Sequence, residues 1–249
     1  KGDYRKVATD VHSVVDEAAR HSLRADYEGT DSLREPARAA DAVHGAVLDA
    51  VAAHAGVGGG DTTVVPLFQH PCLGLRQEYD VLLELLGWSD GELVINTPYP
   101  NFPEVYLRTM ERRVAGPGDG STMFVGPSAG SHSFSTGRGL KALVPGVYLH
   151  REREFTSRLQ AAAVGHGLDF RHYDRAGWVF HSKGIWFTTP EESATIIGSS
   201  SFGERSVARD FDLSFLVVTR DPALRAAMAG EVETMLTWAD GQQPSDRPA

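Results

Sequence analysis

Apolar and polar residues recur with two different periods along the chain, and the change of period divides it into elements. Helical spacing of apolar residues predicts amphipathic helices over 4–21 and near 40–54, with a polar loop or linker between them at 28–42. The extended segment TTVVPLFQ follows, and then a helix near 75–87 that ends at Gly87. Residues 1–60 are therefore expected to form a helical lead-in and linker region.

From Glu92 onward, short apolar runs alternate with helical segments. Strands are predicted at ELVINT, TMFVGP, DFRHYD, VFHSKGIWFT, ATIIGS and DLSFLVVT, and helices at PEVYLRTMERR and VPGVYLHREREFTSRLQAAA. A last helix has Asp221 as its cap and Pro222 in its first turn, and its apolar face consists of Leu224, Met228, Val232, Met235 and Leu236. This order predicts an α/β fold over 61–240, with a mixed central β-sheet flanked by helices, and a disordered tail at 241–249.

Composition argues against several classes of function. The chain has 24 Lys and Arg against 33 Asp and Glu and lacks a long basic run, which argues against a dedicated nucleic-acid binder. Cys72 is the single cysteine, so neither an internal disulfide nor a cysteine-rich zinc site can form, and a reducing setting is mildly favoured. No apolar run reaches the roughly 18 residues that a membrane-spanning helix needs.

The segment VFHSKGIWFT places a histidine and a lysine two residues apart. In an extended strand, residues i and i+2 share a face, so His181 and Lys183 are expected to point the same way. Aromatic neighbours predict that this strand is central and largely buried, where an imidazole and an ammonium are costly unless a partner receives them. An anionic substrate meets that need, because lysine neutralises it while histidine attacks it or moves a proton.

The next predicted strand is followed by small polar residues that suit an anion. Gly198, Ser199 and Ser201 allow a phosphate to approach closely and to meet free backbone N–H groups. Asp212 enters the following apolar strand, and a catalytic histidine is the natural partner of such a carboxylate. These residues are therefore candidates for one phosphate-binding site around His181.

Two arginines are candidate phosphate ligands with equally open alternatives. Arg138 lies in the glycine-rich basic loop SFSTGRGLKALVPG, which either holds a phosphate at a helix N-terminus or is an ordinary solvated loop. Arg205 is either a ligand or an ion-pair partner of nearby acidic residues. The turn NTPYPN after the first regular strand is interpreted mainly as a turn, and Tyr148 as a packing residue.

The motifs around His181 resemble the phospholipase D superfamily, whose signature is H-x-K-x4-D-x6-G-S-x-N. Three segments, GWVFHSKGIWF, IIGSSSFGERSVARDFD and VPGVYLHREREF, are together similar to the C-terminal half of the eukaryotic-type phosphatidylglycerophosphate synthases. Thr188 stands at the aspartate of the signature and Ser201 at its asparagine, and Gly198 comes three residues later than the signature places it. A hydroxyl at Ser201 can donate to a phosphate oxygen but lacks the reach of an amide, which leaves its role open.

The resemblance implies a transferase that makes phosphatidylglycerophosphate and CMP from CDP-diacylglycerol and glycerol-3-phosphate. It implies a phosphohistidine intermediate, no metal and no other cofactor, with His181 as general acid and base, Lys183 on the phosphate oxygens and Asp212 holding the imidazole tautomer. It also implies a location at the mitochondrial inner membrane, reached by peripheral contact. The alternatives are a phosphatidylserine synthase, a homodimeric phosphodiesterase or nuclease, and a non-catalytic supporting lobe.

Members of this superfamily use two H-x-K motifs, because one imidazole cannot be nucleophile and acid in the same step. None of the other histidines in the chain has a lysine two residues later. The second motif is therefore expected either upstream in the same protein or on a second copy of this chain. The opening KGDYRK, which has neither an initiator methionine nor an apolar leader, favours the upstream location.

Overall fold

The structure is a computed structural model that describes residues 60–71, 74–118, 120–135, 137–138 and 143–240. The helices predicted over 4–21 and near 40–54, the linker between them and the tail at 241–249 lie outside the described residues. Those expectations, and the division of the chain near residue 60, stay predictions.

The described residues form nine strands and five helices. The strands are β1 (Thr62–His70), β2 (Leu75–Arg76), β3 (Glu92–Asn96), β4 (Ser121–Pro127), β5 (Gly167–Tyr173), β6 (Gly184–Thr188), β7 (Ser193–Gly198), β8 (Asp212–Thr219) and β9 (Ala239–Asp240). The helices are α1 (Gln77–Gly87), α2 (Glu104–Ala115), α3 (Val144–Ala162), α4 (Glu204–Ala208) and α5 (Pro222–Leu236).

The strands form one mixed sheet in the order β2-β1-β8-β7-β6-β3-β4-β5-β9. Strands β3, β4 and β5 are parallel because helices α2 and α3 return the chain to the edge where each strand began. Strands β6, β7, β8 and β1 pair antiparallel. The predicted α/β fold with a mixed central sheet is therefore confirmed.

Alternate residues of the central strands pack into two different cores. Leu93 and Ile95 of β3 belong to a core that α1, α2 and α3 cover, whereas Val94 belongs to a second core on the opposite face. Helix α5 packs on this second face, where its Met228 is buried. The fold therefore has three layers: helices α1, α2 and α3 on one face, the sheet in the middle, and helix α5 on the other face.

Helix α5 begins as its sequence predicts. The side chain of Asp221 accepts a hydrogen bond from the backbone N–H of Leu224 at 2.7 Å, which satisfies a donor that the first turn leaves free. The predicted apolar face packs on the second core: its members are Leu224, Met228, Val232, Met235 and Leu236. The cap and the apolar stripe together place the end of α5 beside Asn96, at the end of β3.

The strand predicted at VFHSKGIWFT is shorter than expected. Strand β6 begins at Gly184, whose partner Asn96 is the last residue of β3, so no paired strand continues beside the preceding residues. Ile185, Trp186 and Phe187 are buried as predicted, but Trp178 is 54% exposed. His181 and Lys183 therefore lie in the loop that leads into the central strand and not within it.

Candidate active site

The candidate residues gather at one edge of the sheet, which we call the His181 edge. It is the edge where β3 and β7 end, at Asn96 and Gly198, and where β6 and β8 begin, at Gly184 and Asp212. Loops at strand ends carry most ligand sites of α/β sheets, because the sheet supports them rigidly while leaving their polar groups free. The antiparallel order β6-β7-β8 brings the histidine loop, the Gly-Ser segment and Asp212 to this edge together.

His181 and Lys183 contact each other directly although they are not on a strand. The Lys183 ammonium lies 3.2 Å from Nδ1 of His181 and donates a hydrogen bond to its carbonyl oxygen at 3.0 Å. An ammonium can only donate, so this contact requires an unprotonated ring nitrogen. The prediction that the two side chains point the same way agrees with this contact.

Burial and charge shift the pKa values of this pair. The pKa of His181 is lowered, first by partial burial and then by the positive charge of Lys183. The pKa of Lys183 is also lowered by burial, while the carboxylate of Asp212 acts in the opposite direction. The imidazole is therefore held neutral beside a cation, which suits a group that accepts a proton near neutral pH.

Asp212 is buried at the start of β8 and holds the Gly-Ser segment. The hydroxyl of Ser199 donates a hydrogen bond to Oδ1 of Asp212 at 2.7 Å, and accepts one from the backbone N–H of Leu213 at 3.1 Å. Among the described residues, Oδ2 of Asp212 has no hydrogen-bond partner. The contact that the structure gives Asp212 is thus with Ser199, and its predicted role on the histidine tautomer stays a prediction.

Two of the remaining predicted phosphate ligands, Ser201 and Arg205, make contacts with other protein groups. The backbone carbonyl of Ser201 accepts a hydrogen bond from Thr97 at 2.9 Å. Arg205 is exposed and forms an ion pair with Asp210 at 2.8 Å, which is the alternative that the sequence left open. Arg138 is exposed on the loop before α3. These roles in phosphate binding stay predictions.

An aromatic cluster that the sequence did not predict supports His181. The ring of Tyr99 meets the imidazole of His181 edge-on with centroids 6.0 Å apart. Tyr99 also contacts the rings of Tyr148 at 5.2 Å and of His132 at 5.9 Å, and its hydroxyl donates to Ser133 at 3.1 Å. The position of NTPYPN directly after a strand was the available signal, since strand ends collect at one edge.

His132 is a second histidine of this cluster, and it is buried. Its Nδ1 accepts a hydrogen bond from the backbone N–H of Phe134 at 3.1 Å, which places the proton of the neutral ring on Nε2. Burial lowers the pKa of His132, so the ring is neutral at physiological pH. A buried neutral imidazole beside Tyr99 packs as an aromatic ring and supports the ring that touches His181.

A buried carboxyl group lies beneath the Gly-Ser segment. Glu78, near the start of α1, is 2% exposed and accepts a hydrogen bond from the hydroxyl of Ser214. Its pKa is raised from 4.5 to about 7, mainly by burial and further by the charge of Asp212, against the lowering effect of hydrogen bonds from Ser200 and Ser214. Helix α1 thus brings a protonated or half-protonated carboxyl group under the site.

Glu78 is expected to make the stability of the fold depend on pH. A raised pKa stabilises the folded state fully below pH 4.5, and this contribution is lost as the pH rises to about 7. The loss amounts to about 3 kcal/mol, at about 1.4 kcal/mol for each pKa unit. Urea unfolding of the wild type and of Glu78→Gln between these pH values measures it: the amide cannot ionise, so the wild type loses stability relative to the variant. A constant difference across this range would contradict the buried, proton-holding carboxyl.

Two features of the described residues bear on metal binding and on membrane spanning: the grouping of metal-ligating side chains, and the length and apolarity of the helices. No group of three or more His, Cys, Asp or Glu side chains converges in the described part of the chain. None of the helices in residues 60–71, 74–118, 120–135, 137–138 and 143–240 is long and apolar enough to cross a bilayer.

Known proteins resemble this chain in sequence and in fold. No family profile matches it. A probable CDP-diacylglycerol–glycerol-3-phosphate 3-phosphatidyltransferase of Dictyostelium discoideum is 29% identical over 75% of this chain and 32% of its own length. The human mitochondrial protein named CDP-diacylglycerol–glycerol-3-phosphate 3-phosphatidyltransferase is 28% identical over 74% of this chain and 34% of its own length.

A solved structure agrees on the fold. The phosphatidylserine synthase of Haemophilus influenzae superposes with a TM-score of 0.66 at 17% identity, over 76% of this chain and 42% of that protein. The chain spans about a third of the length of the curated relatives that it matches.

Proposed function

We propose that this chain provides one half of the active site of a CDP-diacylglycerol–glycerol-3-phosphate 3-phosphatidyltransferase. The premise is that the chain is a phospholipase D superfamily relative of the proteins of that name. The enzyme transfers the phosphatidyl group of CDP-diacylglycerol to glycerol-3-phosphate and releases CMP. The observation that carries the proposal is the contact of the neutral His181 ring with the Lys183 ammonium, beside the Ser199–Asp212 hydrogen bond.

The reaction proceeds in two successive displacements at phosphorus. In the first, an imidazole nitrogen attacks the phosphatidyl phosphorus; a P–N bond forms, the P–O bond to CMP breaks, and a second imidazole gives its proton to the leaving phosphate oxygen. In the second, the glycerol-3-phosphate hydroxyl attacks the same phosphorus while the second imidazole takes its proton, and the P–N bond breaks. Two histidines are needed because one forms and then loses the bond to phosphorus while the other moves a proton in each step.

We assign His181 to the proton-carrying role. The neutral ring can accept the proton of the glycerol-3-phosphate hydroxyl in the second step, and the lowered pKa of the imidazolium formed there favours release of that proton to the leaving CMP in the first step of the next turnover. Lys183 lies against this ring and can neutralise a non-bridging phosphate oxygen as charge builds up in the transition state. The first histidine comes from the other H-x-K motif.

The other half of the site comes from a part of the same protein upstream of this chain, or from a second copy. The relatives are about three times as long as the part of them that this chain spans, which supports a second motif elsewhere in the same protein. The mitochondrial name of the human relative supports a mitochondrial location for this protein, with a peripheral contact to the inner membrane as its access to the lipid.

The proposal is tested with the whole protein by following CMP release from CDP-diacylglycerol in the presence of glycerol-3-phosphate, serine or neither. We expect release to depend on glycerol-3-phosphate and the lipid product to be phosphatidylglycerophosphate. Dependence on serine would replace the assignment by a phosphatidylserine synthase, and release with water alone by a phosphodiesterase. The 249-residue chain is assayed in parallel: activity of this chain alone would mean that two copies of His181 form the site.

A further inference from the structure

Exposed apolar side chains project from two segments at the His181 edge, the loop before His181 and the start of α3. Trp178 and Val179, just before His181, are 54% and 56% exposed, and Leu143 and Val147, at the start of α3, are 64% and 57% exposed. Large side chains of this kind seldom remain in water side by side without a partner surface. The two segments are linked through the site, because Tyr148 of α3 contacts Tyr99, which contacts His181.

Three side chains on this edge form a stack with the chemistry of a membrane interface. The guanidinium of Arg175 lies 3.9 Å from the ring centre of Trp178 and 4.5 Å from that of Trp238. Indole rings favour the boundary between headgroups and acyl chains, where an arginine can keep its charge in the headgroup layer. The stack therefore holds two indoles and a cation together at the sheet edge that carries His181.

Charge is distributed unevenly between the two edges of the sheet, although the whole chain has a formal net charge of −9. Exposed or partly exposed basic side chains on the His181 edge are Arg138, Arg175, Lys183, Arg205 and Arg209. Acidic side chains on the same edge include Glu104, Asp174, Glu204 and Asp210, of which Asp210 pairs with Arg205 and Glu104 with Arg108 and Arg158. The exposed charged side chains at the opposite edge include the carboxylates of Asp61, Asp90, Glu92 and Glu191 and the guanidinium groups of Arg112 and Arg220. Carboxylates outnumber cations at the opposite edge but not at the His181 edge, so an anionic surface would be attracted to the His181 edge rather than to the opposite one.

We propose that the His181 edge docks on a lipid bilayer that carries anionic headgroups, with Trp178, Val179, Leu143 and Val147 inserted at the interface. A cavity of about 400 Å³ opens at this end of α3; Leu143, Val144, Val147 and Tyr148 give it a mainly apolar wall, and Asn101 and Arg151 complete its lining. Docking in this orientation presents a phosphate at headgroup depth to His181 and Lys183. The inference rests on the proposed function for the identity of the lipid substrate, but the binding itself is independent of turnover.

The experiment measures binding of the whole protein to vesicles of phosphatidylcholine with and without phosphatidylglycerol. The double variant Trp178→Ser with Val179→Ser is expected to lose at least about tenfold in affinity, since two apolar anchors are removed. The matched control is Val164→Ser, which removes a 75% exposed apolar side chain after α3, at the opposite edge, and should bind like the wild type. Vesicles without phosphatidylglycerol should bind more weakly than those with it.

Tryptophan fluorescence adds a readout that a merely structural defect would not reproduce. Trp178 is half exposed whereas Trp186 is buried, so vesicle binding should shift emission to the blue and Trp178→Phe should remove much of that shift while binding is retained. Equal binding by the double variant and Val164→Ser would overturn the proposal. Loss of assembly with the other half of the enzyme, with vesicle binding unchanged, would overturn it too, because the surface would then be a protein interface.

The two proposals fail separately. CDP-diacylglycerol turnover in detergent micelles, without binding to vesicles, would reject the docking edge alone. Binding through Trp178 and Val179 without turnover of CDP-diacylglycerol would reject the proposed function alone.

Discussion

Replacing His181 by asparagine lowers the turnover number for CMP release by about 10²- to 10⁴-fold, the range expected when a general acid and base is removed. Asparagine preserves polarity and approximate size, so Lys183 and Tyr99 keep a neighbour, but the amide cannot exchange a proton near neutral pH. The measurement is steady-state CMP release with saturating glycerol-3-phosphate. Circular dichroism and the urea midpoint should remain near those of the wild type, because His181 is exposed and outside the sheet ladder.

The matched control for this variant is His150→Asn. His150 is an exposed histidine on α3 that lies 3.4 Å from Glu154 and belongs to no part of the site. It should retain the activity of the wild type. Glycerol-3-phosphate-dependent turnover that survives in His181→Asn would reject the catalytic assignment.

Lys183→Met adds a pH signature to the same prediction. The positive charge of Lys183 disfavours the imidazolium form, so its removal should raise the pKa of His181. A titration of the His181 ring by NMR should move to higher pH, and the corresponding limb of the pH–rate profile should move with it. A pKa that stays in place would mean that burial alone accounts for the shift.

Gly198→Ala is expected to cost about 4 kcal/mol of stability and to abolish most activity. A Cβ at this position would lie 2.5 Å from Cα of Ser214 and would also overlap the carbonyl oxygen of Leu213 and the hydroxyl of Ser214. Backbone atoms of a central strand cannot rotate away, so β7 and β8 would have to separate. The separation would break the Ser199–Asp212 hydrogen bond next to it.

Urea unfolding and the CMP-release assay measure the two effects of Gly198→Ala. Gly230→Ala is the control, because a Cβ at this position on α5 meets nothing within 4 Å and alanine favours helix. That variant should be as stable as the wild type or slightly more stable, by less than about 1 kcal/mol. If Gly198→Ala were equally harmless, the close approach of β8 to the Gly-Ser segment would not exist in solution.

Position 198 therefore requires glycine for a reason that the sequence did not reveal. In the sequence, Gly198 was interpreted as a small residue that lets a phosphate approach. In the structure, the backbone of β8 occupies the space that its side chain would need. The two reasons are compatible, but only the second depends on a strand that pairs with β7 from further along the chain.

Local patterns were sufficient for most of the fold. Apolar periodicity predicted the strands ELVINT, TMFVGP, ATIIGS and DLSFLVVT, and the cap and apolar stripe of α5 occur as predicted. Such features depend on neighbours within a few residues, so one stretch of chain contains the whole signal. The VFHSKGIWFT prediction was too long because the length of a strand also depends on where its partners end.

By itself, the sequence determined the α/β class, the pairing of His181 with Lys183 and the resemblance from which the proposed chemistry follows. Tertiary structure alone decided that Tyr99 touches His181, that Ser199 binds Asp212, and that Glu78 lies buried beneath them. The reason is physical: Tyr99 is far from His181 along the chain, and Glu78 meets Ser214 across 136 residues. Contacts at that separation depend on sheet order and register, which no local period of apolar residues specifies.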